Sequence, residues 1–152
     1  MGGEAGEVVV DTYALMAMVF GELTSTAEEV LLRIRGGRVK GIVPTTVGYE
    51  FTLQWLRGRV PGLRSIGEVE AFLRAYFVVA NLTLEDFVEI ARIKAEGDRL
   101  LASSGDEKLA SRRLSLVDSS VILTATKLNA PIVTGDKDLA YVAEKLGLKV
   151  LW

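Results

Sequence analysis

Four acids in this chain of 152 residues stand where a carboxylate could do chemistry: Asp11, Glu50, Asp118 and Asp136. With no histidine and no cysteine in the chain, histidine bases, histidine-based serine triads, thiol nucleophiles and zinc thiolates are excluded. Any hydrolytic chemistry must lean on carboxylates. Four of them at one place would repel one another and raise each other's pKa unless a cation lay between them. An all-oxygen acidic cluster selects Mg²⁺ or Mn²⁺ over zinc, and such an ion activates water and neutralises charge developing on a phosphodiester. Each acid also has a plainer role open to it. Asp11 and Asp136 can cap helices, Asp118 can complete a capping box with Ser115, and Glu50 can be a favourable helix-dipole charge. The chemical reading depends on whether the fold brings all four to one edge.

The stretch LSLVDSSVILTATKLNAPIVTGDKDL, from Leu114 to Leu139, suggests that it does. Val117, Val121, Ala125 and Leu128 recur at helical spacing and predict a helix over Val117 to Asn129 with one buried stripe. Ala130-Pro131 stops it, because the residue before a proline avoids helical geometry. Ile132 and Val133 then form a short buried strand, Gly135-Asp136 breaks it, and Asp136 caps a helix from Lys137 to Leu146. A connecting helix runs antiparallel to its strands, so Asp118 at the helix start and Asp136 at the strand exit belong to the same sheet edge. Open α/β sheets place their ligands there.

The remaining elements follow the same alternation. Glu7 to Val10 is a strand ended by Asp11, and Thr12 to Phe20 is a helix apolar almost all round. Ser25 to Glu28 fits a capping box for a helix reaching Arg35, with Gly36-Gly37 beyond it. Val39 to Val43 is the second strand, and a helix N-capped by Thr46 carries Glu50, about 6 Å along its axis. Ser65 to Glu68 starts a helix through Phe77, Val78 to Ala80 is the third strand, and Thr83 to Asp86 caps a helix from Leu84 to Ser103. Ser104 to Arg113 is a polar loop, and Leu148 to Leu151 is the last strand. The expected fold is α/β, a parallel five-stranded sheet with helices on both faces, forming a single domain over residues 1–152. The apolar run from Val8 to Phe20 is interrupted by Asp11, is too short to span a membrane and lacks a basic leader, so a soluble cytoplasmic protein is expected.

The net charge of −2 conceals an asymmetry. Between Val30 and Arg64 lie Arg33, Arg35, Arg38, Lys40, Arg57, Arg59 and Arg64 against the single acid Glu50, a net +6 that leaves −8 for the remainder. Such a basic segment is either a phosphate footprint or a set of solvated helix ends.

With these residues in view, the sequence resembles a PIN domain and, in size, the VapC toxins of toxin–antitoxin pairs. The family places an acid after the first strand (VVVDTYAL), a glutamate on the helix after the second, an aspartate in a segment like LSLVDSSVIL, and a last acid in a Thr-x-Asp pattern, here Thr134-Gly135-Asp136. The resemblance covers essentially the whole chain, and its C-terminal pair of motifs is its most specific part. It implies a Mg²⁺- or Mn²⁺-dependent endoribonuclease acting on RNA, held by a small antitoxin and usually a homodimer. On the matching positions, Asp11 and Asp118 would be metal ligands, with Glu50 and Asp136 completing the catalytic site. Thr134 would orient a carboxylate or water, and Asp138 is an extra acid with a supporting role.

Three other readings have a foothold. A haloacid-dehalogenase-like phosphohydrolase needs a second aspartate two residues after the first, where this chain has Tyr13. A response-regulator receiver needs a phosphoacceptor aspartate after the third strand, which Ala80-Asn81-Leu82 does not supply. A non-catalytic PIN-like binding module is disfavoured by the complete acidic set. Finally, the helix Thr12 to Phe20 carries Tyr13, Leu15, Met16, Met18, Val19 and Phe20, more apolar surface than one contact needs. A second copy, an antitoxin segment or both are expected to cover it, unless the helix from Ser25 does so within the monomer.

Overall fold

Val8, Val9 and Val10 are all buried, although successive residues of a strand point to opposite faces of its sheet. The strand that holds them, β1 (Glu7–Val10), is therefore covered on both sides, as the centre of a parallel α/β sheet must be. The computed structural model describes residues 6–152. After β1 come α1 (Thr12–Phe20), α2 (Ser25–Arg35), β2 (Lys40–Pro44), α3 (Thr45–Leu56), α4 (Ile66–Tyr76), β3 (Val78–Ala80) and α5 (Leu84–Ala102). The chain continues through α6 (Glu107–Ala110), α7 (Leu116–Leu128), β4 (Ile132–Val133), α8 (Lys137–Lys145) and β5 (Val150–Leu151).

The five strands lie in the order β3-β2-β1-β4-β5 and every pairing is parallel. The chain winds outward from β1 through β2 to β3, then returns to the other side of β1 for β4. β1 and β4 thus flank the topological switch point, with Val9 opposite Ile132 and Val10 opposite Val133.

The sequence expectations hold for element order and differ in physical detail. The helix over residues 116–128 does not bury one stripe: Ser119 through Ala125 are buried on every side, while Val117 is half-buried and Leu128 is exposed. α7 packs on α5, α3, α8, β1, β2 and β4, so it is a central element. Its hydroxyls survive burial because they bond back to the helix's own carbonyls. Ser119 Oγ donates to Ser115 O at 2.7 Å, Ser120 Oγ to Val117 O at 2.6 Å and Thr124 Oγ1 to Ser120 O at 2.8 Å.

Smaller corrections concern caps. α2 is capped by Thr24, whose Oγ1 accepts from the Ala27 N–H at 3.2 Å, one residue before the expected Ser25. In the Ser65 motif the hydroxyl accepts from Glu68 N, but the Glu68 carboxylate accepts from Arg64 N. The full reciprocal box forms at Thr83 and Asp86. The loop from Ser104 to Arg113 contains the one-turn α6, capped by Asp106. Among the described residues no helix is long and apolar enough to cross a membrane.

Candidate active site

Asp11 leaves β1 at the switch point and is 2% exposed. As N-cap of α1 its Oδ1 accepts from the Ala14 N–H at 2.9 Å. Its Oδ2 accepts from Thr134 Oγ1 at 2.5 Å, and that hydroxyl in turn accepts from the Asp136 N–H at 3.0 Å. Asp136 caps α8, with Oδ1 accepting from the N–H groups of Asp138 at 2.9 Å and Leu139 at 3.2 Å. The exits of β1 and β4 are stitched together through Thr134.

Asp118 sits in the first turn of α7, its N–H held by Ser115 Oγ at 2.9 Å. The entry to this helix is clamped onto α5. Leu114 N donates to Asp98 Oδ1 at 2.8 Å, Lys94 Nζ donates to Leu114 O at 2.7 Å, and Lys94 pairs with Asp98 at 3.0 Å. Close approach is possible because residue 97 is glycine, where a Cβ would lie 2.6 Å from Leu114 Cδ2.

Glu50 is two residues, about half a turn, deeper in its helix than expected from a Thr46 cap. Pro44 already ends β2 in extended geometry, and α3 begins at Thr45 with no side-chain cap, placing Glu50 about 9 Å from the helix start. Thr46 instead bonds to Ser120, Oγ1 to Oγ at 2.5 Å, which ties the helix of Glu50 to that of Asp118. A surface cavity is lined by Glu50, Asp136, Thr12, Tyr13, Met16, Phe20 and Gln54.

The four acids feel one another. Burial, then repulsion from Asp136, Asp11 and Glu50, pushes Asp118 up to about 8. Burial is also the main cause that raises Asp11 to about 7, against the bonds from Thr134 and Ala14, with Asp136 and Glu50 adding repulsion. Glu50 is the weakest of the repelling carboxylates at both positions, as its deeper place on α3 requires. Asp138 stands apart. Its carboxylate is bound by Arg112 Nε at 3.0 Å, and burial with repulsion from Asp136 raises its pKa despite that cation.

The sequence matches the PIN domain family over residues 8–145. The chain belongs to the PIN domain family. No protein of curated function matches it in sequence. In fold, this PIN domain is similar to PAE2754 from Pyrobaculum aerophilum (18% identity, TM-score 0.60, covering 98% of this chain and 92% of that one). It is also similar to Mycobacterium tuberculosis VapC20, a sarcin-ricin loop cleaving toxin (18%, TM-score 0.55, 93% and 95%). A third likeness is to VapBC2 from Rickettsia felis, solved with a DNA fragment from its promoter (14%, TM-score 0.56, 95% and 96%).

Among the described residues of this PIN domain, no three Asp or Glu side chains are grouped tightly enough, as they stand, to hold a metal ion. The donor set nonetheless fits a hard divalent cation: oxygen only, with one buried and one half-buried carboxylate whose ionised forms lack a compensating positive charge. Thr12 Oγ1 adds a second sign. It is buried without a hydrogen-bond partner in the wall of the cavity that holds Glu50 and Asp136. Sequence reasoning missed Thr12, the Lys94–Asp98 clamp, the Thr46–Ser120 bond and Arg112. Lys94 and Asp98 show helical i,i+4 spacing, but nothing in it tells that the pair also holds Leu114. The others become visible only once distant elements meet.

Proposed function

We propose that this PIN domain, a single unit over residues 1–152, is a Mg²⁺- or Mn²⁺-dependent endoribonuclease and the toxin of a VapBC-type pair. The observation that carries the reading is the meeting of buried Asp11 and half-buried Asp118, both raised in pKa, with Asp136 at the switch point between β1 and β4. Asp11 and Asp118 would be the principal metal ligands, with Glu50 and Asp136 completing the set. When bound, the ion supplies an activated water and neutralises charge at the RNA phosphodiester. Thr134 fixes the orientation of Asp11 through its 2.5 Å bond, leaving that carboxylate's remaining lone pairs for the ion. The elements supporting these residues hold them near one edge, with Asp11 shielded from bulk water and Asp118 partly so.

The named activity of VapC20 and the pairing of VapBC2 support an RNA substrate and an antitoxin partner for this chain. The α1 surface supports a partner too. Met16 and Met18 are half-buried, Phe20 is about half exposed, and the principal helix packed on α1 is α3 rather than the one from Ser25. A second copy or an antitoxin segment would cover this face, and a short upstream reading frame with a DNA-binding head would be the matching genomic sign.

The absence of a tight three-carboxylate cluster among the described residues favours one competing reading, a non-catalytic PIN-like binding module. The same experiment separates them: purified protein is incubated with mixed RNAs, with and without Mg²⁺ or Mn²⁺, beside Asp118→Asn. Metal-dependent cleavage lost in the variant supports the nuclease. RNA left intact under every condition leaves the binding module.

A further inference from the structure

Tyr13 is left 48% exposed between Thr12 and Ala14, both of which are buried. It is not a loose surface side chain. Its ring meets that of Trp152 edge to face, with centroids 5.6 Å apart and planes at 80°. Both rings lie over Gly135, where a Cβ would come within 2.5 Å of Trp152 Cε2 and 2.6 Å of Tyr13 Cε1. Gly135 stands between Thr134 and Asp136, so the aromatic pair rests directly on the acid-bearing exit of β4. The Tyr13 ring also lines the cavity shared by Glu50 and Asp136. Gln54, another residue of that lining, accepts from Arg59 Nη1 at 3.0 Å, which ties an exposed guanidinium to the cavity wall.

A braced, half-exposed aromatic ring and two of the four acids line one cavity, with a cation bonded to a further lining residue, and together they match the parts of a nucleotide: base, the phosphodiester to be cut and a flanking phosphate. We propose that Tyr13 is a stacking platform for an unpaired nucleobase next to the scissile phosphate, braced by Trp152, with Arg59 facing a neighbouring phosphate. A base can lay its π-face on the ring only when it is free of a duplex, so the preferred substrate is single-stranded or looped RNA at that position. This rests on the nuclease reading of the acids and adds to it a subsite that selects unpaired RNA.

The test uses the full chain carrying Asp118→Asn, with Mg²⁺ present, and a fluorescently labelled single-stranded RNA titrated by anisotropy. Tyr13→Ala and Tyr13→Leu are each expected to weaken binding about tenfold, within the range of one aromatic–base stack, whereas Tyr13→Phe keeps it. Tyr13→Leu preserves apolar packing on Trp152, so equal melting temperatures with weaker binding separate stacking from folding. On an oligonucleotide series with one abasic position moved along the strand, the Tyr13→Leu penalty should vanish when the missing base is the stacked one. Duplex RNA should show no penalty. Binding by Tyr13→Leu equal to that of the parent on every oligonucleotide overturns the stacking subsite, and would leave the ring as part of a protein-docking face. The nuclease reading is judged separately, by metal-dependent cleavage with the unsubstituted protein.

Discussion

Thr134 donates its hydroxyl to Asp11 Oδ2 across 2.5 Å, joining residues 123 positions apart in sequence at the ends of neighbouring strands. The same oxygen accepts the Asp136 N–H, so one side chain sets the spacing between two of the four acids. Thr134 is itself 1% exposed. Replacing it with valine removes a donor to a buried carboxyl while conserving shape. Thr134→Val should therefore lose about 1–3 kcal/mol of stability, readable in urea unfolding, and should bind Mn²⁺ more weakly. A variant as stable as the parent, with unchanged metal binding, would show that this bond positions nothing.

Metal should stabilise the fold, because it binds the clustered carboxylates only in the native state. The melting temperature is expected to rise with Mg²⁺ or Mn²⁺, less in Asp136→Asn, and activity should disappear in EDTA. Asp11→Asn and Asp118→Asn should largely abolish cleavage with the fold intact by circular dichroism. Wild-type activity in either variant under limiting metal would remove that residue from the site.

Asp138→Asn should be milder than Asp136→Asn. Asp136 caps α8 and faces Asp11 and Asp118, whereas Asp138 is engaged by Arg112. The Arg112 side chain is 63% exposed, so breaking the pair should alter stability by less than about 1 kcal/mol. Comparing kcat/KM of the two variants checks the order, and a reversed order would make Asp138 the more important acid.

Much of this site was legible from local pattern. Asp11 directly follows a short apolar run and Asp136 follows another after Thr134-Gly135, so both strand exits with their acid caps are written in nearby residues. Glu50 was legible in kind but not in depth, because Pro44 hands the chain from strand to helix without a capping side chain. The all-round burial of residues 119–125 was hidden because serine and threonine look polar in sequence, while here their hydroxyls are satisfied by carbonyls of their own helix. Arg112 and the Leu114 clamp depend on where α5, α6 and α8 meet. No spacing within residues 104–113 encodes that.

In EDTA, stability should fall as pH rises from about 4 to about 8. Asp11 and Asp118 have folded pKa values raised from 3.8 to about 7 and about 8, so across this window the folded state holds more protons than the unfolded one. Ionising them is therefore easier after unfolding, and the native state loses ground with each step up in pH. Asp118→Asn should flatten the profile, and saturating Mg²⁺ should do so in the parent. A metal-free melting temperature that is level between pH 5 and 8 would contradict the raised pKa values of these two carboxyls.

Thr12→Val gives the most discriminating check on the metal reading, because it is expected to move two quantities in opposite directions. In the metal-free fold Thr12 Oγ1 is buried without a partner, a situation that destabilises by about 1–3 kcal/mol. Valine has nearly the same shape and no hydroxyl to strand, so the metal-free melting temperature should rise. If the hydroxyl faces a water of the occupied metal site, the same substitution should shrink the metal-induced rise, and Thr12→Ser should restore it. A purely structural threonine would change the first quantity and leave the second alone. Measured by thermal unfolding at several Mn²⁺ concentrations, a metal-induced shift in Thr12→Val equal to that of the parent would remove Thr12 from the site.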